Sequence, residues 1–440
     1  MKGKKLVPYS LCLLLTASGL SACATGTGSD TAQTQAKSGG DAKPIKLTFW
    51  SGVPAEAGPQ QAVDNWNKQN PNIQVEYVRY VNDDAGNIKL DTALLTGQGV
   101  DLYATHNFPR FETRVKANVA LDLGQFKDYN IDDMMGPEAA DWKVDGKFYA
   151  MPTKKDLHFV WLNKDALDKA GLPVPYNWTW DDMRAYAKKL AEQKQWGMLQ
   201  DLVTWDFVLD SPIAVEGAVK SDGTSNMDNP LTRKILENMH AMMYDDKSIP
   251  LYAEQLSKKM PVETEFLKGN SGMYYAGEWI FRFANNLKDN PRDFKIAIAP
   301  IPKVTKDQQN YRVFGGLGDA ISINPQSKNI EAAWKFLKWY ADGGMLPLAQ
   351  GGRIPSSKAV NADESFKELL KGVEDKYDVD SVKKVLFSKD FKTFQSKLPQ
   401  QMIDARKEQY QLYFTNNQTL DQMFSNLVKR HNEFLKQNKK

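Results

Sequence analysis

The sequence is poor in cysteine, in histidine and in the short motifs that mark most enzymes. Its 440 residues include two cysteines and four scattered histidines. It contains no G-x-S-x-G elbow, P-loop, G-x-G-x-x-G or HExxH segment, so the common hydrolase, nucleotide-binding and zinc-peptidase signatures are missing. Metal ligands are not clustered along the sequence, and no metal site or cofactor is predicted.

The charge of the chain is balanced once its N-terminus is set aside. Lys and Arg number 57 against 54 Asp and Glu, and three of the lysines (Lys2, Lys4 and Lys5) precede a short apolar run. A basic start followed by such a run is typical of a secretory signal rather than a membrane span. Without these three, basic and acidic side chains are equal at 54 each. Bulk charge therefore gives no support for a nucleic-acid or anionic-membrane partner.

The apolar run ends in Leu20-Ser21-Ala22-Cys23, which resembles the lipobox of bacterial lipoproteins. That resemblance implies a signal peptide at residues 1–22, cleavage before Cys23 and a lipid on this cysteine. The alternative is an ordinary signal that happens to end near a cysteine. Because Cys12 leaves with the signal, the mature chain can form no internal disulfide. The Gly-, Ser- and Thr-rich tract that follows predicts a flexible tether over residues 23–43.

The remaining 400 or so residues exceed what one hydrophobic core usually holds, so two domains are expected. Apolar residues alternate in "IKLTFW" and "NIQVEYVRY", which predicts strands, and a helical period covers Leu90, Ala93 and Leu94. This order of strands and helices indicates an α/β lobe with a mostly parallel sheet. Further on, "FYAMP", "FVWLN", "FKIAIAPIP" and "DAISIN" are each interpreted as a strand.

Capping-box patterns mark the starts of two helices. Thr179 is followed three residues later by Asp182, and Thr419 in the same way by Gln422. In such a box the two side chains satisfy backbone N–H groups that the first helical turn leaves free. Helices are therefore predicted to begin at both positions.

Tryptophan is plentiful, with eleven residues, and three of them fall where predicted elements end: Trp50, Trp205 and Trp279. Ligands of α/β proteins bind at the carboxyl ends of strands. An indole face beside a carboxylate, as at Glu278-Trp279, suits a sugar, because C–H faces stack on the ring and hydroxyls donate to the acid. Three other tryptophans on predicted helices are interpreted as core residues: Trp66, Trp334 and Trp339.

Five segments then occur in a telling order: "GKFYAMPTKKDLHFVWLNKDALDKAGLPVPYNWTWDDM", "FLKGNSGMYYAGEWIF", "IAIAPIP", "GGLGDAISINPQSKNIEAAWKFLKWYAD" and "GGRIPSS". Together they resemble the family 1 extracellular solute-binding proteins, the sugar-capturing lipoproteins of ABC importers. The resemblance extends from about Ile45 to the C-terminus.

The resemblance implies an α/β, two-lobed, periplasmic-binding-protein-like fold with three segments that cross between the lobes. By motif position these crossings are expected near 153–156, near 315–320 and near 351–355. The N-lobe would then comprise 44–153 and 317–352, and the C-lobe 155–316 and 354–440. Glycine and proline at two crossings would absorb hinge rotation.

The resemblance also implies a set of residues that face a ligand in the interlobe cleft: Trp50, Ser51, Thr105, His106, Asn107, Asp156, Trp205, Asp206, Glu278, Trp279, Gly315, Gly316 and Arg353. Among them, Asp156 matches a family acid that binds sugar hydroxyls, and Trp279 matches the stacking tryptophan of a G-x-W motif.

Five cationic side chains stand where many binders of neutral sugars carry acids or amides: Lys154, Lys155, His106, Arg110 and Arg353. Cationic side chains that line a cleft would bind carboxylates, such as those of uronic-acid oligosaccharides. The alternative is ordinary surface charge beside a hinge. The sequence leaves neutral and uronic sugars both open.

The function expected from this resemblance is capture of a mono- or oligosaccharide and its delivery to the transmembrane subunits of an ABC permease. The protein would be a monomer without enzymatic activity, lipid-anchored at the extracytoplasmic face of the cell membrane. One alternative is a secreted glycoside hydrolase that uses Asp156 and Glu278 as its carboxylate pair, which would need a separation of about 5–5.5 Å or 6.5–9.5 Å. Another is a binder of a peptide, polyamine or metal, with calcium left open.

Overall fold

The structure, a computed structural model, describes residues 43–200, 211–308, 311–388 and 392–438. The strands are β1 (Ile45–Ser51), β2 (Ile73–Arg79), β3 (Leu102–Thr105), β4 (Lys143–Val144), β5 (Lys147–Phe148), β6 (Met151–Asn163), β7 (Trp196–Gln200), β8 (Ser271–Gly277), β9 (Ile296–Ala299), β10 (Arg312–Ile323) and β11 (Lys392–Phe394). The first helices are α1 (Pro59–Gln69), α2 (Asp84–Leu95), α3 (Phe108–Lys116), α4 (Ile131–Met135), α5 (Lys164–Lys169), α6 (Trp180–Ala191), α7 (Ser211–Glu216) and α8 (Pro230–Tyr244). The later ones are α9 (Tyr252–Ser257), α10 (Val262–Leu267), α11 (Phe281–Ala284), α12 (Ile330–Trp339), α13 (Ala362–Leu370), α14 (Val379–Leu386), α15 (Gln400–Phe414) and α16 (Leu420–Gln437). Across these residues, no helix combines the length and the apolar character that crossing a bilayer demands.

Most strands join one mixed sheet. In the part of the chain that the structure describes, its order is β2-β1-β3-β10-β6-β8-β7, with β11 paired to β10 and β9 paired to β6. Strand β1 runs parallel to β2 and β3, as the order of strands and helices along the chain predicts. Strands β6 and β10 are antiparallel to each other and lie in the middle of the order. Within the sheet, β2, β1 and β3 on one side are therefore joined to β8 and β7 on the other side through this central pair.

Two large clusters of buried apolar side chains pack along the sheet in the described part of the chain, and a third, small cluster lies beneath α2. The first, here called the N-core, draws on residues within 47–151 and 317–348. The second, the C-core, draws on residues within 157–304, on Val313 and on residues within 354–427. Each cluster buries aromatic side chains, and a fully buried residue of this size contributes about 1.5–3 kcal/mol. Because β6 and β10 contribute to both clusters, these two strands join two cores that pack independently.

The strand predicted at "FVWLN" is confirmed, whereas the strand predicted at "FYAMP" is interrupted at Tyr149 and Ala150. Strand β5 ends at Phe148, and β6 runs without interruption from Met151 to Asn163. The polar run from Lys154 to Asp156 interrupts the apolar alternation, but both backbone edges of β6 are hydrogen-bonded there. Backbone pairing, which the sequence pattern does not report, keeps this stretch extended.

Both predicted capping boxes are confirmed. The N–H of Asp182 donates to Oγ1 of Thr179 at 3.2 Å, and the Asp182 carboxylate accepts the N–H of Thr179 at 2.9 Å. Thr419 and Gln422 make the same reciprocal pair at the start of α16. A cap of this kind stabilises a helix by about 1 kcal/mol. These starts are local, which is why residues three apart suffice to predict them.

Candidate functional site

Three chain segments run side by side between the two cores. Residues 151–157 of β6 pair with residues 315–321 of β10. On the other edge of β6, the N–H of Lys155 donates to the carbonyl of Ile354 at 2.7 Å. These segments coincide with the three predicted crossings, and they bring residues from distant parts of the sequence into one place.

Two glycines allow the close approach of these segments. Gly315 has φ +151°, and a Cβ there would lie 2.3 Å from the carbonyl oxygen of Asp156. Gly352 has φ +89°, and a Cβ there would lie 2.0 Å from the carbonyl oxygen of Glu278. Both the backbone conformation and the contact distance exclude a larger residue without movement. The three adjacent segments, which lie around residues 151–157, 315–321 and 352–355, are here called the junction. Their backbone is packed as tightly as a hydrophobic core.

A buried lysine and two carboxylates form the first half of the site. The Nζ atom of Lys154 contacts Oε1 of Glu278 and lies 3.3 Å from Oδ1 of Asp156. The other oxygen of Glu278 accepts the backbone N–H of Leu157 at 3.3 Å. Glu278 and Lys154 are only 2% and 5% exposed. Charges removed from water in this way persist because they compensate one another.

The two carboxyl groups of this half titrate in opposite directions. Burial raises the pKa of Glu278 to about 8, although Lys154 acts against the shift. For Asp156, burial also favours the neutral acid, but Lys154 and His158 outweigh it and hold the pKa below its usual value. Both carboxyl groups face the same ammonium group, Nζ of Lys154, so their titrations are linked through it.

Asp319 organises the second half of the site. Its Oδ1 accepts from Nδ1 of His106 at 2.7 Å, and its Oδ2 accepts from Nε of Arg353 at 2.9 Å. The backbone N–H of Gly52 donates to Nε2 of the same histidine at 3.2 Å, which leaves Nδ1 as the donor to Asp319. Burial opposes ionisation of Asp319, but Arg353 and His106 hold its pKa well below the usual range. Asp319 also adopts φ +44°, an uncommon conformation for a residue other than glycine.

Some buried polar atoms of the site have no hydrogen-bond partner within the described ranges. They include an acceptor, Oδ1 of Asp156, and a donor, Nη1 of Arg353. The 3.3 Å contact of Lys154 with this Asp156 oxygen satisfies an ion-pair distance but not hydrogen-bond geometry. Buried polar atoms are nearly always paired, so unpaired ones at a junction of two cores indicate where another molecule binds.

An aromatic surface lies beside the charged groups. Trp279 is half-buried, and its ring covers Gly277 so closely that a Cβ there would lie 1.9 Å from the indole. The indole meets the ring of His158 edge-on, with centroids 4.9 Å apart. The indole is partly exposed, and His158, which it contacts, lies on the same face of β6 as Asp156.

Of the residues predicted to face a ligand, the structure brings five together around the three segments: His106, Asp156, Glu278, Trp279 and Arg353. Thr105 is buried and accepts from Arg114 Nη1 at 2.8 Å, which places its hydroxyl in a structural network. Gly315 and Gly316 lie on β10 opposite Leu157 and Asp156.

Three predicted residues have other surroundings. Trp50 packs against a small cluster beneath α2, with Nζ of Lys89 5.9 Å from its ring centre. Asn107 caps α3 by accepting the N–H of Arg110 at 3.0 Å. Ser51 is buried and accepts the N–H of Val53 at 3.4 Å. Cys23, Trp205 and Asp206 lie outside the described residues.

Sequence reasoning missed Asp319 and His158 and misjudged Lys154. The signal for two of them was present: Lys154, Asp156 and His158 are spaced by two along one strand, so they share a face. Asp319 had no such signal, because its role depends on partners 213 and 34 residues away in sequence.

The geometry gives the hydrolase alternative no support. Asp156 and Glu278 both contact Nζ of Lys154, so neither carboxyl group is free to act as the acid or the nucleophile of a carboxylate pair. Glu278 is also enclosed by Lys154 and the backbone of Leu157. For metals, the described ranges hold no group of three or more His, Cys, Asp or Glu side chains arranged as ligands.

Comparisons with known proteins agree with the fold. The chain is 25% identical over 316 residues to the arabinooligosaccharide-binding protein of Bacillus subtilis, covering 68% of this chain and 70% of that protein. An ABC substrate-binding protein of Listeria monocytogenes in complex with cycloalternan superposes with a TM-score of 0.72 at 23% identity, covering 89% and 99% of the two chains. Maltose-bound MalE3 of T. maritima gives a TM-score of 0.72 at 20% identity, covering 89% and 100%. The predicted two-lobed α/β fold class is confirmed by these likenesses.

The family comparison is equally direct. Residues 50–342 match the family described as bacterial extracellular solute-binding protein. That range contains the whole of β6 and of β10. It also contains the site residues Asp156, Glu278, Trp279 and Asp319. The chain belongs to the bacterial extracellular solute-binding protein family.

Proposed function

We propose that this protein is the carbohydrate-binding component of an ABC importer. It captures a mono- or oligosaccharide at the junction of the two cores and delivers it unaltered to the permease. Family membership and relatives named for binding arabinooligosaccharides and maltotriose support this reading. Binding without chemistry also fits a site whose two carboxyl groups are both engaged with Lys154.

The observation that carries the proposal is the half-buried Trp279 beside buried polar atoms that lack partners. A pyranose or furanose ring offers C–H faces to an indole and hydroxyls to its surroundings. Oδ1 of Asp156, which accepts no hydrogen bond within the described ranges, would accept from one hydroxyl, and Nη1 of Arg353 would donate to another. Stacking gives affinity, and the polar pair gives orientation.

The capture mechanism proposed is rotation of two lobes about the three adjacent segments. The N-lobe would comprise 44–153 and 317–352, and the C-lobe 155–316 and 354–440, which follows the membership of the two cores. Closure would bring the N-lobe over a sugar held at Trp279. A closed shape differs from an open one, so the permease can distinguish loaded protein from empty protein.

The proposed anchor is a lipid on Cys23 at the extracytoplasmic face of the cell membrane, followed by the tether of residues 23–43. The reach of such a tether is roughly 5–6 Å times the square root of its length, which amounts to tens of ångströms. Holding a monomeric binder this close to its permease raises the effective concentration for delivery.

Thermal unfolding in the presence of a glycan panel tests the proposal. A ligand at about one hundred times its Kd adds about 2.7 kcal/mol and raises Tm by several degrees. We expect one class of mono- or oligosaccharide to raise Tm, and the effect to be lost in Trp279→Ala. Absence of a shift with every glycan contradicts sugar binding, and release of hydrolysis products contradicts binding without chemistry.

A further inference from the structure

We propose, on the basis of the function proposed above, that this site selects uncharged glycans and rejects uronic acids. The reason is that the cations at the junction are already compensated by carboxylates of the protein. A uronic carboxylate would enter as an additional negative charge without a counterion.

The two buried cations of the site have their own partners. Lys154 is held by Glu278 and Asp156, and Arg353 is held by Asp319. All four groups in the contacts Lys154–Glu278 and Arg353–Asp319 are less than 10% exposed. Compensation between buried ions is strong because water does not screen it.

The two histidines of the site offer no free cationic group to a ligand, because both are engaged in hydrogen bonds within the protein. Nε2 of His106 accepts the N–H of Gly52, so this nitrogen carries no proton. Burial lowers the pKa of His158 to about 4, with Lys154 acting in the same direction and Asp156 opposing it. With Asp156 and Asp319 ionised, the net charge of the group is zero or negative.

The unpaired atoms match a hydroxyl better than a carboxylate. Oδ1 of Asp156 needs a donor, and Nη1 of Arg353 needs an acceptor. A hydroxyl both donates and accepts, whereas a carboxylate only accepts and would be repelled by Asp156. Leaving either buried atom without a hydrogen bond is unfavourable, so polyols are favoured on hydrogen bonding as well as on charge.

The other cations named in the sequence lie elsewhere. Nζ of Lys155 is on the opposite face of β6, 5.3 Å from the ring centre of Phe387. Arg110 pairs with the exposed carboxylate of Asp84. Arg282, at the edge of the junction beside Gly351, forms no ion pair within the described ranges. If the proposal were wrong, an acid would be bound by Arg282 or by the unpaired Nη1 of Arg353.

Calorimetric titration of matched glycan pairs tests the selection. The probes are xylotriose against xylotriose bearing glucuronic acid, galactotriose against trigalacturonic acid, and glucose against glucuronic acid. For any pair that binds, we expect the neutral member to bind at least tenfold more tightly. A uronic member that binds as tightly or more tightly overturns the inference, and loss of that binding in Arg282→Gln would name the group responsible.

Substitution of one carboxylate provides a second, independent test of the selection against uronic acids. Asp319→Asn removes a buried negative charge next to Arg353, and we expect the neutral-to-uronic affinity ratio to fall at least tenfold. Asp84→Asn removes the same charge at the surface and should leave the ratio unchanged. An unchanged ratio in folded Asp319→Asn protein overturns the inference; if that variant does not fold, the ratio of the unsubstituted protein decides. If neither the neutral nor the uronic member of any tested pair binds, and no larger glycan pair binds either, the sugar-binding function itself is refuted.

Discussion

Nε of Arg353 donates to Oδ2 of Asp319 at 2.9 Å, and both side chains are buried. This contact ties the third crossing segment to the second, 34 residues earlier in sequence. Because His106 holds the other oxygen of Asp319, the same carboxylate also reaches the end of β3. One acid thus fixes three separate parts of the chain at the place where the cores meet.

Removing Arg353 should therefore destabilise the fold strongly. Arg353→Gln leaves Asp319 buried with a weaker partner, and loss of one member of a buried pair costs about 3–5 kcal/mol. Arg110→Gln breaks a pair with the 91% exposed Asp84 and should cost at most about 1 kcal/mol. Urea denaturation of both variants measures the difference. Equal, small losses would show that the Asp319 contact contributes no more than a surface pair.

Trp279→Ala should weaken glycan binding by about tenfold or more, since it removes the stacking surface beside Asp156. The matched control is Trp196→Ala, because Trp196 is also half-buried and packs against the C-core, at the start of β7. Both changes should lower Tm, but only the first should change Kd in titration calorimetry. A parallel loss of affinity in both variants would assign the effect to stability rather than to contact with the ligand.

Gly352→Ala should be more damaging than Gly372→Ala. Both glycines have positive φ, +89° and +77°, so both substitutions strain the backbone by about 1–2 kcal/mol. Only at Gly352 would the new Cβ meet another atom, the carbonyl oxygen of Glu278 at 2.0 Å. We expect a further loss of about 1–3 kcal/mol there, and weaker ligand binding because Glu278-Trp279 must shift. Indistinguishable Tm values would mean that the junction relaxes freely.

The stability of the protein should fall as pH rises towards 8 because of Glu278. Burial raises the pKa of Glu278 to about 8, against about 4.3 in an unfolded chain. The folded state holds this proton more tightly, so its contribution is fully present below about pH 4.3 and is lost as pH rises through 8. The slope is at most about 1.4 kcal/mol per pH unit.

Glu278→Gln isolates that slope, because glutamine cannot ionise. Denaturation should be compared between pH 6.5 and 8.5, above the window in which His158, with a pKa of about 4 in the fold, alters stability. The free energy of unfolding should decline with pH more steeply in the unsubstituted protein than in the variant. Parallel declines would place the titrating group elsewhere.

Cys23→Ala should abolish incorporation of labelled palmitate and release the protein from membranes, if this residue is the lipid attachment site. Cys12→Ser changes the only other cysteine and lies within the predicted signal, so labelling should persist. Fractionation of cells that produce each variant gives the result. Continued membrane association of the Cys23→Ala protein would contradict a lipid anchor.

Features fixed by neighbouring residues could be predicted from the sequence. The alternation of β1 and β2 and both capping boxes depend on contacts within a few residues. The order of five motifs indicated the family, and a family implies a fold. His106, Asp156, Glu278, Trp279 and Arg353 were named from that resemblance, and they do lie around one junction.

Tertiary structure alone decided what these residues do there. Lys154 looked like a free cation beside a hinge, but Glu278, 124 residues away, neutralises it. Trp50 ends β1 as predicted, yet the pairing of the sheet places its ring beneath α2. Side chains one residue apart on a strand face opposite sides, and only the packing of the whole sheet determines which side faces the junction. The chain sequence therefore determined its elements and its family, while long-range pairing set the charge balance of the site.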